Sequence, residues 1–226
     1  RPLVVVNEHT EDREIPAVLA RLARGERVAL VSDAGMPAVS DPGERLVARA
    51  LAAGHAVEVV PGPSAALAAL VVSGLPARRF VFEGFLPRKG AGRGERLAAV
   101  AAERRTTVLY EAPHRLARTL ADLVGACGPD RRVVVARELT KLHEELWRGT
   151  LGAAAAWADE REPPGEMVLV LAGAPAPTPP TDADVVAALE AELAAGASAR
   201  DAARAVAARL DVPRRRAYDL AVSRPR

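Results

Sequence analysis

The chain has 226 residues, and its 31 Lys and Arg against 29 Asp and Glu leave a formal net charge of only +2. Half of the residues are hydrophobic but only 3% are aromatic, so one large domain or two modest ones must be built on Ala, Val and Leu. No apolar run is long enough to span a bilayer, no secretory h-region is present, and the single Cys127 excludes an intrachain disulfide, which points to a reducing, cytoplasmic location without a membrane.

The chain begins at Arg1 rather than Met, which leads to the expectation that a segment precedes it. Leu3 to Val6 is apolar and β-branched and predicts a strand. Asp12 to Arg24 predicts a helix, with Ile15, Val18, Leu19 and Leu22 on one face and Gly25 as its stop. Val28 to Val31 is a continuous apolar run, as in a strand buried on both faces of a parallel sheet. A helix over Glu44 to Ala53, a strand over Val57 to Val60 and a Ser64-capped helix reaching Ser73 follow. This alternation predicts an α/β layer with parallel strands.

Phe80 to Phe82 predicts a short strand. LPRKGAGRGERL then reads as a basic, glycine-rich connector: Gly90, Gly92 and Gly94 do not follow a strand, so they do not make a dinucleotide fingerprint. A second α/β block is predicted from a strand over Thr107 to Tyr110, a helix over His114 to Val124, a strand over Val133 to Arg137, a helix near Ala153 to Glu160 and a strand over Met167 to Leu171. APAPTPPTD reads as a stiff linker. Three short helical patterns close the chain, over Asp184 to Ala195, Ala199 to Leu210 and Pro213 to Val222. The domain expectation is 1–86, 87–174, and a linker with a helical tail over 175–226.

Several strands end in small or polar residues, at the edge where open α/β sheets hold ligands. After Val28 to Val31 comes SDAGMPAVSDPG. Its Ala34 and Gly35 admit close approach to the backbone and its Asp33 accepts hydrogen bonds, while the plainer reading is that Asp33 and Asp41 only make turns and caps. PGPSA follows another strand and opens a helix, so its amides either hold a polar ligand or are simply capped by Ser64. In YEAPHRL, Glu111 and His114 are candidates for proton work or for structural bonds. ARELTKLHEELWRGT concentrates Arg137, Glu138, Lys141, His143, Glu144, Glu145 and Arg148, either as a solvated loop or as one facing substrate. Four scattered His and one Cys give no metal-ligand spacing, and no metal is expected.

Taken together and in order, VSDAGMPAVSDPG, VVPGPSA, SGLPARRFVFEGFLPRK, YEAPHRL, VVVARELTKLHEELWRGT and PPGEMVLVLAG resemble the ribosomal RNA small-subunit methyltransferase I family, within the tetrapyrrole-methylase-like group. The resemblance runs from Val6 to Gly173. It implies two α/β domains with an S-adenosylmethionine cleft between them, to which the three helical patterns of the tail add a small C-terminal helical bundle, and it implies 2′-O-methylation of a cytidine ribose in the decoding region of small-subunit (16S) ribosomal RNA. By position, Asp33, Ala34, Gly35, Met36, Ser64, Ala65, Leu109, Tyr110, Glu111, Ala136, Gly165, Glu166 and Met167 would line the donor site. Family members begin with a strand, a Gly-Asn loop and an Asp-Thr-Arg element that find no match here, and VNEHTE departs from the family pattern at Asn7 and Thr10.

A ribose hydroxyl is a poor nucleophile, so a base or an oxyanion-stabilising cation is expected, with Lys141, Glu138 and Glu111 as candidates. Arg88, Lys89, Arg93 and Arg96, in what reads as a flexible basic loop, are the expected phosphate contacts, the plainer reading being a solvated hinge; Arg214, Arg215 and Arg216 of the tail either touch RNA as well or are an exposed basic helix start. The expected partners are small-subunit ribosomal RNA or the assembled 30S subunit, and the resemblance implies a homodimer. The competing readings are a tetrapyrrole-type small-molecule methylase and a non-catalytic ribosome-assembly protein. Donor titration separates the latter from both enzymes.

Overall fold

The computed structural model describes residues 3–161, 164–176 and 179–223. The chain forms two compact units, Arg1–Pro175 and Ala176–Arg226. The first is organised on a mixed five-stranded sheet made of β1 (Phe80–Phe85), β2 (Thr106–Glu111), β3 (Arg132–Arg137), β4 (Glu145–Thr150) and β5 (Met167–Leu171), in the order β1-β2-β5-β3-β4.

Alternation along the strands decides what lies on each face, because successive side chains point to opposite sides. Leu109, Val133, Val135, Leu169 and Leu171 face a core with α4 (Ala91–Ala102), α5 (Leu116–Cys127) and α6 (Leu151–Arg161). Val108, Val134, Ala136, Val168 and Val170 face α3 (Ala65–Ser73), through Ala66, Ala69 and Leu70. Central β5 is buried on both faces, which is why MVLVL contains no polar residue. Two earlier helices, α1 (Glu11–Ala23) and α2 (Glu44–Ala52), pack through Ile15, Val18 and Leu46.

The second unit holds α7 (Asp182–Ala194), α8 (Ala199–Leu210) and α9 (Arg214–Val222) around Val185, Leu189, Val206 and Ala217. Thr181 and Asp184 cap α7 reciprocally and Ser198 caps α8.

Four expectations change. First, Leu3 to Val6, Val28 to Val31 and Val57 to Val60 form no strands: they lie outside every ladder, and Val31 and Val60 are 78% and 88% exposed. Apolar β-branched runs report a tendency to extend, whereas a strand also needs a partner for its backbone groups. Second, the sheet is mixed: only β1 and β2 pair in parallel, and β5 is antiparallel to both β2 and β3. Third, the glycine-rich connector is largely helix α4. Each interior glycine costs about 1 kcal/mol relative to Ala, and the buried Val100 and Arg93 of the same helix offset that cost. Fourth, the end of the charged loop is strand β4, which tolerates Glu145 and Arg148 because it is an edge strand with half-exposed faces. Hydrogen bonding of β1 to β2 also places the expected 86/87 boundary inside one sheet.

Candidate functional site

Strand direction assembles the site. β1, β2 and β3 all run opposite to β5, so their carboxyl ends share an edge with its amino end, and Glu111 and Arg137 both pair with Met167. Around this edge the structure collects Tyr110, Ala136, Glu138 and Gly165 to Met167.

The two small-residue turns meet beside Tyr110. Gly35 has φ of 70°, and a Cβ placed on it would sit 3.6 Å from the Pro63 carbonyl oxygen; one on Gly62 would sit 3.6 Å from Met36 Cγ. The Ser32 hydroxyl lies 2.7 Å from Asp41 Oδ2 and 2.8 Å from the Ala34 carbonyl oxygen. Asp41 therefore braces the first turn, and Gly43, not Asp41, occupies the residue before α2. Ser64 caps α3 by accepting from the Leu67 amide at 3.4 Å, and the Ala66 amide donates to the Tyr110 hydroxyl at 3.3 Å. Phe82 and Phe85 hold the Tyr110 ring at centroid distances of 5.0 and 5.6 Å. Asp33, Ala34, Gly35 and Ala65 are exposed, and Met36 and Ser64 are half-buried.

On the opposite side of the same edge, Glu138 exchanges backbone and side-chain bonds with Glu166. The Glu138 amide donates to the Glu166 carbonyl at 3.1 Å, and the Glu166 amide to Glu138 Oε1 at 2.9 Å. Lys141 Nζ bridges Glu138 Oε1 at 3.1 Å and Glu166 Oε2 at 2.9 Å. Hydrogen bonding to Glu166 and then Glu138 raises the Lys141 pKa, while the Glu166 amide and then Lys141 lower that of Glu138. Lys141 is thus held as a cation and Glu138 as a weak base. Gly165, at φ of 96°, is required there, because a Cβ on it would fall 2.6 Å from Glu138 Cγ.

Backbone strain concentrates in the same place. Of the five non-glycine residues with positive φ among those described, Ala38 and Ser40 lie in the first loop and Glu138 and Thr140 in the second. Each such conformation is held only by its surroundings.

The structure separates other expected partners. Tyr110 faces α3, but Glu111 points to the other face of the sheet, is 2% exposed, accepts from Thr119 Oγ1 at 2.5 Å and pairs with Arg115 at 3.0 Å. Leu109 and Met167 also belong to the α4–α6 core. Of the three catalytic candidates, only Glu138 and Lys141 share a cluster. Among the basic residues, Arg88 and Lys89 are exposed. Arg96 pairs with Glu83 at 2.6 Å. Arg93 is 5% exposed and donates to Asp122 at 2.7 Å, Thr119 at 3.0 Å and the Pro87 carbonyl at 2.8 Å, so it is an internal cation rather than part of a flexible loop. In the second unit Arg214 and Arg215 are exposed, while Arg216 is tied to Asp182 at 2.6 Å. The sequence reading passed over Ser32, whose position between an apolar run and Asp33-Ala34-Gly35 was the available signal.

These observations define a tetrapyrrole-methylase-type protein, and the profile of the Tetrapyrrole (Corrin/Porphyrin) Methylases family matches residues 3–155. Among solved structures, the methyltransferase CobJ superposes with a TM-score of 0.58 at 25% identity, covering 75% of this chain and 74% of its own. A diphthine synthase reaches the same TM-score at 15% identity, covering 76% and 70%, which speaks to the fold alone. Curated relatives at 44–51% identity carry the name ribosomal RNA small subunit methyltransferase I. That of Synechocystis sp. is 44% identical over 98% of this chain and 80% of its own, and that of Mycobacterium tuberculosis (strain CDC 1551 / Oshkosh) is 46% identical over 91% and 71%. The protein of Thermotoga maritima is 45% identical over 76% and 77%. The chain belongs to the ribosomal RNA small subunit methyltransferase I family, a family of methyltransferases.

Proposed function

We propose that the chain transfers a methyl group from S-adenosylmethionine to the 2′-hydroxyl of a cytidine ribose in small-subunit ribosomal RNA, met as free RNA or in the 30S subunit. The observation that carries this reading is the pair of touching, exposed small-residue turns at the strand edge, in a chain with relatives of that name over nearly its full length. We read residues 1–86 and 87–174 as the two parts that flank the donor, joined through the β1–β2 pair of one sheet, and 175–226 as a linker and RNA-contacting tail.

The residues fit the donor. Ala34, Gly35 and Ala65 present exposed backbone without bulk, and Asp33 offers a carboxylate to amino or hydroxyl groups. Met36, Ser64, Tyr110, Ala136 and Gly165 to Met167 complete the proposed lining, with Leu109 and Glu111 contributing backbone from β2. S-adenosylmethionine, when bound, supplies an electrophilic methyl group on a sulfonium.

The chain's task is to orient the ribose oxygen and to manage its proton and charge, and positioning alone supplies much of the rate. Lys141, held protonated by two carboxylates, suits stabilisation of the developing oxyanion. Glu138 positions Lys141 and is the available proton acceptor, although its lowered pKa makes it a poor one. Glu111, bound on the other face, braces α5. Arg88, Lys89, Arg93, Arg96, Arg214 and Arg215 are the proposed RNA-facing cations, with Arg93 acting from beneath the surface. The exposed apolar residues Leu67, Val71 and Val72 of α3 support a homodimer, to be checked by sedimentation. No helix among the described residues is long and apolar enough to cross a membrane, and a ribosomal RNA substrate supports a cytoplasmic reaction.

Incubation with unmethylated 30S subunits and labelled donor, followed by mapping of the modified nucleotide, tests the reading. One 2′-O-methylated cytidine is the expected product. Label on a base, or no transfer by a chain that binds donor, overturns it.

A further inference from the structure

On the face of the sheet opposite the proposed donor turns lies a cavity of about 320 Å³, lined by Arg88, Arg93, His114, Arg115, Arg118 and Thr119. We propose that this cavity seats a phosphate of the RNA backbone. The inference rests on the RNA-substrate reading above and adds a site to it.

The charge balance points to an anion. Two carboxylates, Asp122 and Glu111, serve the four guanidiniums of the lining, and both are spent within it. Asp122 pairs with Arg93 at 2.7 Å and Glu111 with Arg115 at 3.0 Å. Arg88 and Arg118 are exposed and have no ion pair among the described residues.

The floor is built to keep its charge in place. Arg93 is 5% exposed and anchored by Asp122, Thr119 and the Pro87 carbonyl, while Arg115 donates to the Leu86 carbonyl at 2.6 Å as well as pairing with Glu111. Thr119 ties the two together, accepting from Arg93 and donating to Glu111. A guanidinium fixed this way loses little further entropy when an anion arrives, and phosphate suits the planar fork. The amino ends of α4 and α5, each 12 residues long, border the same cavity and add their positive dipole ends.

Position makes the seat relevant to the reaction. Glu111, the anchor of Arg115, directly follows Tyr110, which touches the donor turns through Ala66. A phosphate held here is registered to the donor edge by a single β-strand.

The test compares the full chain with Arg88→Gln, Arg118→Gln and the double variant, using unmethylated 30S subunits across a salt series. The exposed Arg104→Gln, at the far end of α4, serves as the control. Each pocket substitution is expected to weaken binding about threefold to tenfold near 0.1 M salt and to flatten the salt slope by about one, with S-adenosylmethionine binding and melting temperature unchanged. A short single-stranded ribo-oligonucleotide should compete for the wild-type chain far better than equimolar inorganic phosphate. Better competition by inorganic phosphate would reassign the seat to a free anion and overturn the proposal. A double variant with wild-type affinity and slope overturns the pocket and leaves the RNA reading standing. A wild-type chain that binds donor but no 30S subunit overturns both.

Discussion

Gly165 shows how much one position carries. Its φ of 96° is a conformation side chains avoid, and the space where a Cβ would stand is filled by Glu138. Gly165→Ala should therefore cost about 1–3 kcal/mol in stability and push Glu138 off the Glu166 amide. Melting should report the first effect, and single-turnover methylation should fall more than donor affinity. The Lys141 pair carries a pH prediction. The raised Lys141 pKa means its charge is fully present below the usual 10.5 and is lost only as pH rises through the higher folded value. The lowered Glu138 pKa means its charge is present above the usual 4.5 and is lost as pH falls through the lower folded value. Between those limits the pair should put no inflection in the methylation rate. Lys141→Ala should lower that rate about 10²-fold, Lys141→Arg should recover part of it, and RNA affinity should hold in both. A rate that climbs with an apparent pKa near neutrality in the wild type and loses that limb in Lys141→Ala would contradict a fixed cation.

Elements are joined here by side chains that finish another element's hydrogen bonding. Gly43 cannot cap α2 with a side chain, and Glu11 of α1 does so instead, accepting from the Gly43 and Leu46 amides at 3.2 and 2.9 Å and pairing with Arg45. Burial pushes the Glu11 carboxyl up, but the Leu46 amide and Arg45 pull it down further, to a value below 4.5. Its contribution is thus complete above pH 4.5 and lost as pH falls through the folded value. Glu11→Ala should cost about 2–3 kcal/mol near neutrality, and less in acid, by chemical denaturation at several pH values. Arg131 performs the corresponding task at the other end of a helix. Buried, and with no carboxylate partner among the described residues, it donates to the carbonyls of Val100, Ala101, Glu103 and Ala172. It thereby fastens the end of α4 to the end of β5. Arg131→Met leaves those acceptors dry and should cost about 2–4 kcal/mol.

At the scale of the molecule, the second unit stands on its own core. Val185, Leu189, Val206 and Ala217 form a cluster that shares no residue with the clusters of the first unit. A chain ending at Pro175 should therefore keep the melting transition of the sheet and its donor affinity, while RNA affinity drops as Arg214 and Arg215 go. Loss of donor binding on that truncation, followed by calorimetry, would show that the tail supports the first unit.

The sequence by itself determined the helices with apolar periodicity and caps, the buried strands from Thr107 to Leu171, and the ordered motifs that mark the family. These are local signals: a 3.6-residue or 2-residue period, Ser64 before its helix, glycine where φ turns positive. Only the tertiary structure decided that Tyr110 and Glu111 serve opposite faces, that Arg93 lies inside, that AGRGERL is helix, and that the first three apolar runs join no ladder. Alternation says that two neighbours part company but not which side holds the ligand, and pairing depends on residues far along the chain. A buried arginine and an exposed one have the same letter. What separates them is whether Asp122, Thr119 and a carbonyl from elsewhere arrive to bind it.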